Sequence, residues 1–173
     1  MKTRDDLIHH LAGLGIQTKT VEHPPLHSVE ESQALRGTIP GGHTKNLFLK
    51  DKKGRIFLVV AEETRAVDLK ELHKRIGASG RLSFASGDQM RALLGVEPGS
   101  VTAFGVINDT GGQVRVVLDE GLLAHDMVNC HPMTNAATTT IATSALMAFF
   151  QSTGHEPLVI GLEAPADDDG QAA

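Results

Sequence analysis

The sequence predicts a single α+β domain built around a mixed or antiparallel sheet. Helical patterns and short strand-like runs follow one another irregularly, two of those runs are joined as a hairpin, and no Gly-x-Gly-x-x-Gly or P-loop pattern opens a βαβ unit. The 173 residues are 40% apolar and 21% charged, with a mean hydropathy of −0.09, which suits one soluble, well-buried core. Apolar stretches such as Phe57–Ala61 fall far short of the roughly 20 residues a membrane helix needs. The start, Met1–Asp6, carries acids where a signal peptide is apolar, and Cys130 is the only cysteine; a reducing, cytoplasmic setting is expected. No repeat or linker divides residues 1–162, which are expected to form the domain. Residues 163–173, with Asp167–Asp169, read as an acidic, solvated tail.

The elements follow in order. Thr3 can cap a helix whose Leu7, Leu11 and Leu14 share one face and which Gly13 and Gly15 end. Gln17–His23 alternates like a strand and stops at Pro24-Pro25. Ser28-Val-Glu-Glu31 has capping-box spacing and predicts a short helix to Gly37, followed by a turn over Thr38–Gly42. Asn46–Lys50 and Arg55–Ala61 predict a hairpin closed by Asp51–Gly54. Asp68 can cap a helix to Ile76, and Ser86–Leu94 reads as another, closed by Gly95. Val101–Asn108 and Gln113–Asp119 are strand candidates joined through Asp109–Gly112. A short helix fits Glu120–Ala124, and Met127–His131 and Thr138–Ala142 read as extended. A helix over Ser144–Gln151, with Leu146, Phe149 and Phe150 inward, and a last strand over Pro157–Leu162 complete the domain.

Several chemistries lack their residues. His23 and His27 are four apart, but Pro24-Pro25 prevents the helix that would align them. His125 and His131 have no carboxylate at recognised ligand spacing, so no metal centre is predicted. Cys130 and His131 are neighbours, and neighbours on an extended chain face opposite ways, which makes them a poor nucleophile–base pair. The Gly-x-Ser-x-Gly elbow of serine hydrolases is missing.

The charge distribution points to a polyanion. Residues 1–91 hold 15 of the 16 Lys and Arg but 11 of the 21 Asp and Glu, whereas residues 92–173 hold Arg115 alone against ten acids. The basic half could face an anionic partner and the acidic half turn away. Two segments offer binding chemistry. Gly41-Gly-His-Thr-Lys-Asn46 sets a cation and an amide before an apolar run, where a phosphate or ribose could be held. Gly99–Ala103, inside Gly95-Val-Glu-Pro-Gly-Ser-Val-Thr-Ala-Phe-Gly105, could present consecutive amides to a carbonyl or oxyanion.

Together with a third segment, His131-Pro-Met-Thr-Asn-Ala-Ala-Thr138, the motifs Thr44-Lys-Asn-Leu-Phe-Leu49 and Gly95-Val-x-Pro-Gly-Ser-Val-Thr102 resemble those of the YbaK/ProX family of aminoacyl-tRNA deacylases. That family is related to the editing domain inserted in bacterial prolyl-tRNA synthetase. The resemblance spans roughly residues 3–162 and is closest to the freestanding ProX type, which removes alanine from mischarged tRNA(Pro). It implies a compact α+β fold around a mixed, barrel-like sheet, and no metal or organic cofactor. It implies that Lys45 contacts the terminal adenosine and is needed for activity, and that Asn46 lines the same site. The backbone of Gly99, Ser100, Val101, Thr102 and Ala103 would hold the aminoacyl carbonyl, with Ala103 standing where the family has proline. His131 would limit the side chain that fits. The tRNA(Pro) acceptor end is the implied partner, docked on basic residues including Lys45, Lys50 and Arg81; DNA and membrane partners are not expected. Association with prolyl-tRNA synthetase stays open, as do hydrolysis of Cys-tRNA(Pro) or another small aminoacyl-tRNA and a purely tRNA-end-binding role.

Overall fold

The computed structural model describes residues 1–26, 30, 31, 34 and 38–163. The helix expected over Ser28–Gly37 lies outside these, apart from Glu30, Glu31 and Ala34, which are helical, and so does the expected tail beyond Glu163.

The hairpin is the centre of the fold. Strand β2 (Gly42–Lys50) pairs antiparallel with β3 (Ile56–Glu62), from Thr44 opposite Glu62 to Lys50 opposite Ile56. Its turn is organised by the fully buried carboxylate of Asp51. Oδ1 accepts the amides of Lys53 and Arg55, and Oδ2 accepts the amide of Ser79 and Nε of Arg55, all at 2.9 Å. Burial opposes the charge of Asp51, but these four bonds outweigh it and bring the carboxyl down to about 2. β3 is buried on both faces: Ile56, Leu58 and Val60 enter one apolar cluster, and Phe57, Val59 and Ala61 the other. Period-two alternation alone cannot produce such a strand; it needs cover on both sides.

Around the hairpin the remaining strands form an eight-stranded mixed sheet, ordered β1-β7-β6-β2-β3-β5-β8, with β4 attached to β2. These are β1 (Lys19–Glu22), β4 (Ser83–Phe84), β5 (Val114–Asp119), β6 (Met127–Cys130), β7 (Ala137–Ala142) and β8 (Leu158–Ile160). The β1–β7, β6–β7, β2–β3 and β2–β4 pairs are antiparallel; β2–β6, β3–β5 and β5–β8 are parallel. This is the expected α+β class with a mixed sheet.

Helix α1 (Arg4–Gly13) starts at Thr3, whose amide donates to Asp6 Oδ2, and it buries Leu7 and Leu11. Leu14, expected on the same face, is exposed, because the helix has ended before it. The helix expected over Asp68–Ile76 shortens to α2 (Leu72–Arg75). α3 (Gly87–Leu94) has the predicted ends: Ser86 Oγ accepts the Gln89 amide at 3.1 Å, and Gly95 closes it at φ +67°. α4 (Thr143–Ser152) buries Leu146, Phe149 and Phe150 in the larger cluster.

One expected strand is a helix. Residues Ala103–Asn108 form a buried 3-10 helix, so Val101–Asn108 is not half of a hairpin. Thr102 Oγ1 caps it by accepting the Phe104 amide, and Gly105 sits so close to Leu94 that a Cβ there would stand 2.9 Å from the Leu94 Cβ. A capping hydroxyl and a close helix-to-helix approach override the β-branched residues. β5 finds its partners elsewhere, in β3 and β8.

Candidate functional site

Strand β2 borrows two different neighbours on the edge away from β3. At its start Gly42 and His43 pair with β6; at its end Leu49 and Lys50 pair with β4. Between them, over residues 44–48, no described strand occupies that edge. The sheet therefore has a slot in it, and the slot is the mouth of a cleft of about 530 Å³.

This geometry answers a difficulty raised by the sequence. Lys45 and Asn46 are adjacent in a strand, so their side chains point to opposite faces. They nonetheless line the same cleft, because the space runs along the strand's edge and takes His43 to Phe48 in succession. The strand begins at Gly42, earlier than the expected Asn46, so Lys45 too lies inside it rather than before it. Gly41 (φ +105°) and Gly42 admit the neighbours that fix this start: a Cβ on Gly41 would stand 2.9 Å from the Met127 carbonyl oxygen, and one on Gly42 would meet the His125 ring at 2.7 Å.

Lys45 is half-buried, and its ammonium donates to the Arg65 carbonyl at 2.5 Å. Asn46 Oδ1 is buried and has no hydrogen-bond partner among the described residues. A buried acceptor without a donor is costly in a folded protein and is a natural contact for a ligand.

Two threonine hydroxyls tie the three segments singled out in the sequence. Thr44 Oγ1 donates to the Asn129 carbonyl at 2.8 Å and lies 3.7 Å from Cys130 Sγ, joining β2 to β6. Thr102 Oγ1 donates to the His131 carbonyl at 2.6 Å, joining the Gly99–Ala103 loop to the end of β6. That carbonyl also accepts the Met133 amide at 3.0 Å, across a turn in which Met133 takes φ +66°.

His131 lines the cleft, and its Nδ1 lies 3.3 Å from the Ala137 carbonyl. A carbonyl can only accept, so Nδ1 carries the proton and Nε2 is left as an acceptor. Burial lowers the pKa of this imidazole and favours the neutral ring. Cys130 is also in the lining, yet it is fully buried and its thiol is pushed up to about 12 by that burial, which removes the thiolate.

The predicted loop is only partly as expected. Gly99 and Val101 line the cleft, whereas Ser100, Thr102 and Ala103 are buried beneath it. The Ser100 amide is already spent on the Glu97 carbonyl at 2.9 Å, so the five amides are not one continuous donor set. Among the described residues no acceptor faces the amides of Gly99, Val101, Thr102 or Ala103. Lys50 and Arg81 are outside the lining. Lys50 is five residues along β2 from Lys45, about 16 Å, opposite Ser83; Arg81 is exposed, two residues before β4.

Five lining residues carried no functional signal in the sequence: Leu26, Glu63, Phe84, Met90 and Asn129. Phe84 is 61% exposed, an apolar ring at the rim. Nothing in a two-residue strand announces it, since pairing with Leu49 and not local pattern makes Ser83–Phe84 extended.

The comparisons with known proteins bear on the family and the fold. The aminoacyl-tRNA editing domain model matches residues 23–149, which include every lining residue. The prolyl-tRNA editing protein ProX of Acetoanaerobium sticklandii is 36% identical over 156 residues, covering 90% of this chain and 94% of that protein. Prolyl-tRNA synthetase associated domain-containing protein 1 of Danio rerio is 39% identical over 162 residues, covering 92% and 88%. A crystallised candidate trans-editing enzyme for prolyl tRNA synthetase shares the fold, with a TM-score of 0.69 at 24% identity over 95% of this chain and 99% of that one. With the slot in its sheet, the lysine and amide along the slot and the two threonine ties all lying inside the matched span, the chain belongs to the aminoacyl-tRNA editing domain family.

Proposed function

We propose that this protein is a trans-editing deacylase that hydrolyses mischarged Ala-tRNA(Pro). The observation that carries the reading is the cleft along the open edge of β2. It gathers the Lys45 ammonium, the unpartnered Asn46 Oδ1, the Gly99 and Val101 backbone and His131 round one space. The similarity to ProX supports the substrate class.

The aminoacyl ester is an activated acyl group, so placing it beside water and stabilising the oxyanion supplies much of the rate. Lys45 holds the terminal adenosine, and Asn46 Oδ1 accepts a hydrogen bond from the bound aminoacyl-adenosine. The free amides of Gly99 and Val101 face the carbonyl oxygen as it gains charge. Water adds to the carbonyl carbon, the ester C–O bond breaks, and the ribose oxygen leaves with a proton. The vicinal ribose hydroxyl positions that water, and the protein supplies no nucleophile; the Cys130 thiol, held protonated, is unsuited to the task. His131 narrows the acyl pocket so that a methyl group enters and a proline ring does not. A synthetase pocket built for proline cannot strongly reject alanine, and a second, smaller pocket completes the selection.

Release of amino acid from Ala-tRNA(Pro) and Pro-tRNA(Pro), wild type beside Lys45→Ala, tests the reading. Rapid loss of alanine alone, abolished in the variant, is expected. Cleavage of neither ester, with Cys-tRNA(Pro) also intact, would refute it in favour of a tRNA-end-binding module. We place the acceptor stem over Lys50 and Arg81, and each charge reversal there should flatten the salt dependence of tRNA binding by about one unit of log–log slope. Unchanged binding in both reversals would remove this docking face.

A further inference from the structure

The Lys45 ammonium is held by a backbone carbonyl, and the residue that owns the carbonyl is itself clamped. Past the end of β3 the chain makes a turn in which the Arg65 amide donates to the Glu62 carbonyl at 2.9 Å. The Arg65 carbonyl then faces Lys45 Nζ. Its side chain leaves in another direction and meets three carboxylates from three parts of the chain. Nε donates to Asp119 Oδ2 at 3.2 Å, Nη1 lies 2.7 Å from Glu163 Oε1, and Nη2 lies 3.6 Å from Glu62 Oε1.

Asp119, at the end of β5, is the anchor. Its side chain is wholly buried, its Oδ2 also accepts the Glu62 amide at 3.0 Å, and its Oδ1 accepts the Gly121 amide at 3.0 Å. One carboxylate therefore fixes both the first residue of the 62–65 turn and the side chain of the last. Glu62 is restrained again through Oε2, 2.7 Å from His125 Nε2. Gly121 leaves the room for the guanidinium: a Cβ there would stand 2.2 Å from Arg65 Nη2.

Arg65 itself is not in the cleft lining. Bracing the ends of β3 and β5 would account for its ion pairs but not for the aim of its carbonyl. A lysine on a flexible four-carbon stem has three donors and many rotamers. Occupying one donor with a fixed carbonyl selects a rotamer and leaves two donors for a ligand, which is the arrangement preorganised binding requires.

We propose that Arg65 is a positioning residue for Lys45, with Asp119 and Glu62 holding its guanidinium so that its carbonyl aims the ammonium along the cleft. The proposal rests on Lys45 serving the editing site. Loss of the clamp would leave the ammonium present but unaimed, and misplacement on the scale of an ångström costs activity about 10- to 100-fold.

The test compares wild type, Arg65→Met, Arg65→Lys and Gly121→Ala, each also combined with Lys45→Met. Gly121→Ala deletes no polar group and displaces the guanidinium by its methyl alone, so it reads the clamp even where Arg65→Met fails to fold. The first readout is the ¹³Cε/¹⁵Nζ resonance of Lys45, assigned by its absence from Lys45→Met. It should move and sharpen, as a released side chain does, in Arg65→Met and Gly121→Ala, and return partway in Arg65→Lys. The second is hydrolysis of Ala-tRNA(Pro): Arg65→Met should lower kcat more than it raises KM, and Arg65→Lys should recover part of the loss. An unmoved Lys45 resonance in Gly121→Ala overturns the proposal, as does an Arg65→Met loss confined to KM. A wild type that cleaves no mischarged tRNA would refute the functional reading while the resonance still decides the role of Arg65.

Discussion

The Asp51 carboxylate sits at the turn of the hairpin that carries Lys45, and replacing it with asparagine gives a prediction whose size follows from the structure. The folded carboxyl is brought from 3.8 to about 2 by four hydrogen bonds that outweigh its burial. That is a little under two pH units, and at 1.36 kcal/mol per unit it is worth about 2 kcal/mol to the folded state. The folded pKa is depressed, so this stabilisation is complete above the unfolded value near 3.8 and is lost as pH falls through about 2. Asp51→Asn keeps the shape, removes the charge, and forces an amide NH₂ against one or more of the donors. At pH 7 it should lower the unfolding free energy by about 2 kcal/mol or somewhat more, and Tm by about 4–8 °C. Urea unfolding of both proteins from pH 7 down to pH 2 is the assay, with the m-value checked for constancy. The gap between wild type and variant should narrow below pH 4. A gap that stays constant to pH 2, or none at pH 7, would refute the assignment of the turn's stability to an ionised Asp51. Hydrolysis at 25 °C should survive, since the cleft lining along β2 stops at Phe48, short of the turn.

Three other outcomes follow from the structure. His131→Ala should enlarge the acyl pocket and reduce discrimination between Ala-tRNA(Pro) and Pro-tRNA(Pro) by about tenfold or more; unchanged discrimination in competition assays would remove His131 from the selecting wall. Cys130, whose thiol is held protonated by burial, should resist iodoacetamide at pH 8 in the folded protein and react once urea is added, while Cys130→Ala retains hydrolysis; rapid native labelling contradicts this. His155 Nε2 lies 2.8 Å from Asp109 Oδ2 with both groups buried, so His155→Ala strands a carboxylate and should cost about 3 kcal/mol, a fall in Tm of roughly 6–12 °C. A fall below about 2 °C would mean that the amides of Gln113 and Val114, which also bind Asp109, suffice without the histidine.

The parts of the fold that were legible in the sequence are those fixed by local chemistry. The Ser86 cap and Gly95 stop bounded α3 because they satisfy that helix's own ends, and the Asp51–Gly54 turn gave the β2–β3 hairpin. The failures lie where distant contacts decide. Val106 and Ile107 suggested a strand, but a Thr102 cap and the fit of Gly105 against Leu94 made a 3-10 helix. The two residues of β4 are extended only because Leu49 and Lys50 are opposite them. In the site, Lys45 and Asn46 were marked by their place before an apolar run, the pocket role of His131 entered through motif resemblance, and no spacing rule would have joined 45 to 131. Arg65 had no signal at all: its anchor is 54 residues away and its useful atom belongs to the backbone, which every residue possesses.

The slot between β6 and β4 has a consequence for what can enter. An unpaired strand edge usually invites another strand, the route by which sheets of separate molecules join. Here the open stretch is closed at both ends by pairing, at His43 and at Leu49. The five intervening residues span only about 16 Å. A foreign strand long enough to register stably would collide with one end or the other. A ligand that needs no sheet pairing meets neither obstacle. The same interruption that hides a sticky edge from other proteins would thus, for the substrate proposed above, favour an unpaired strand end over another protein's strand.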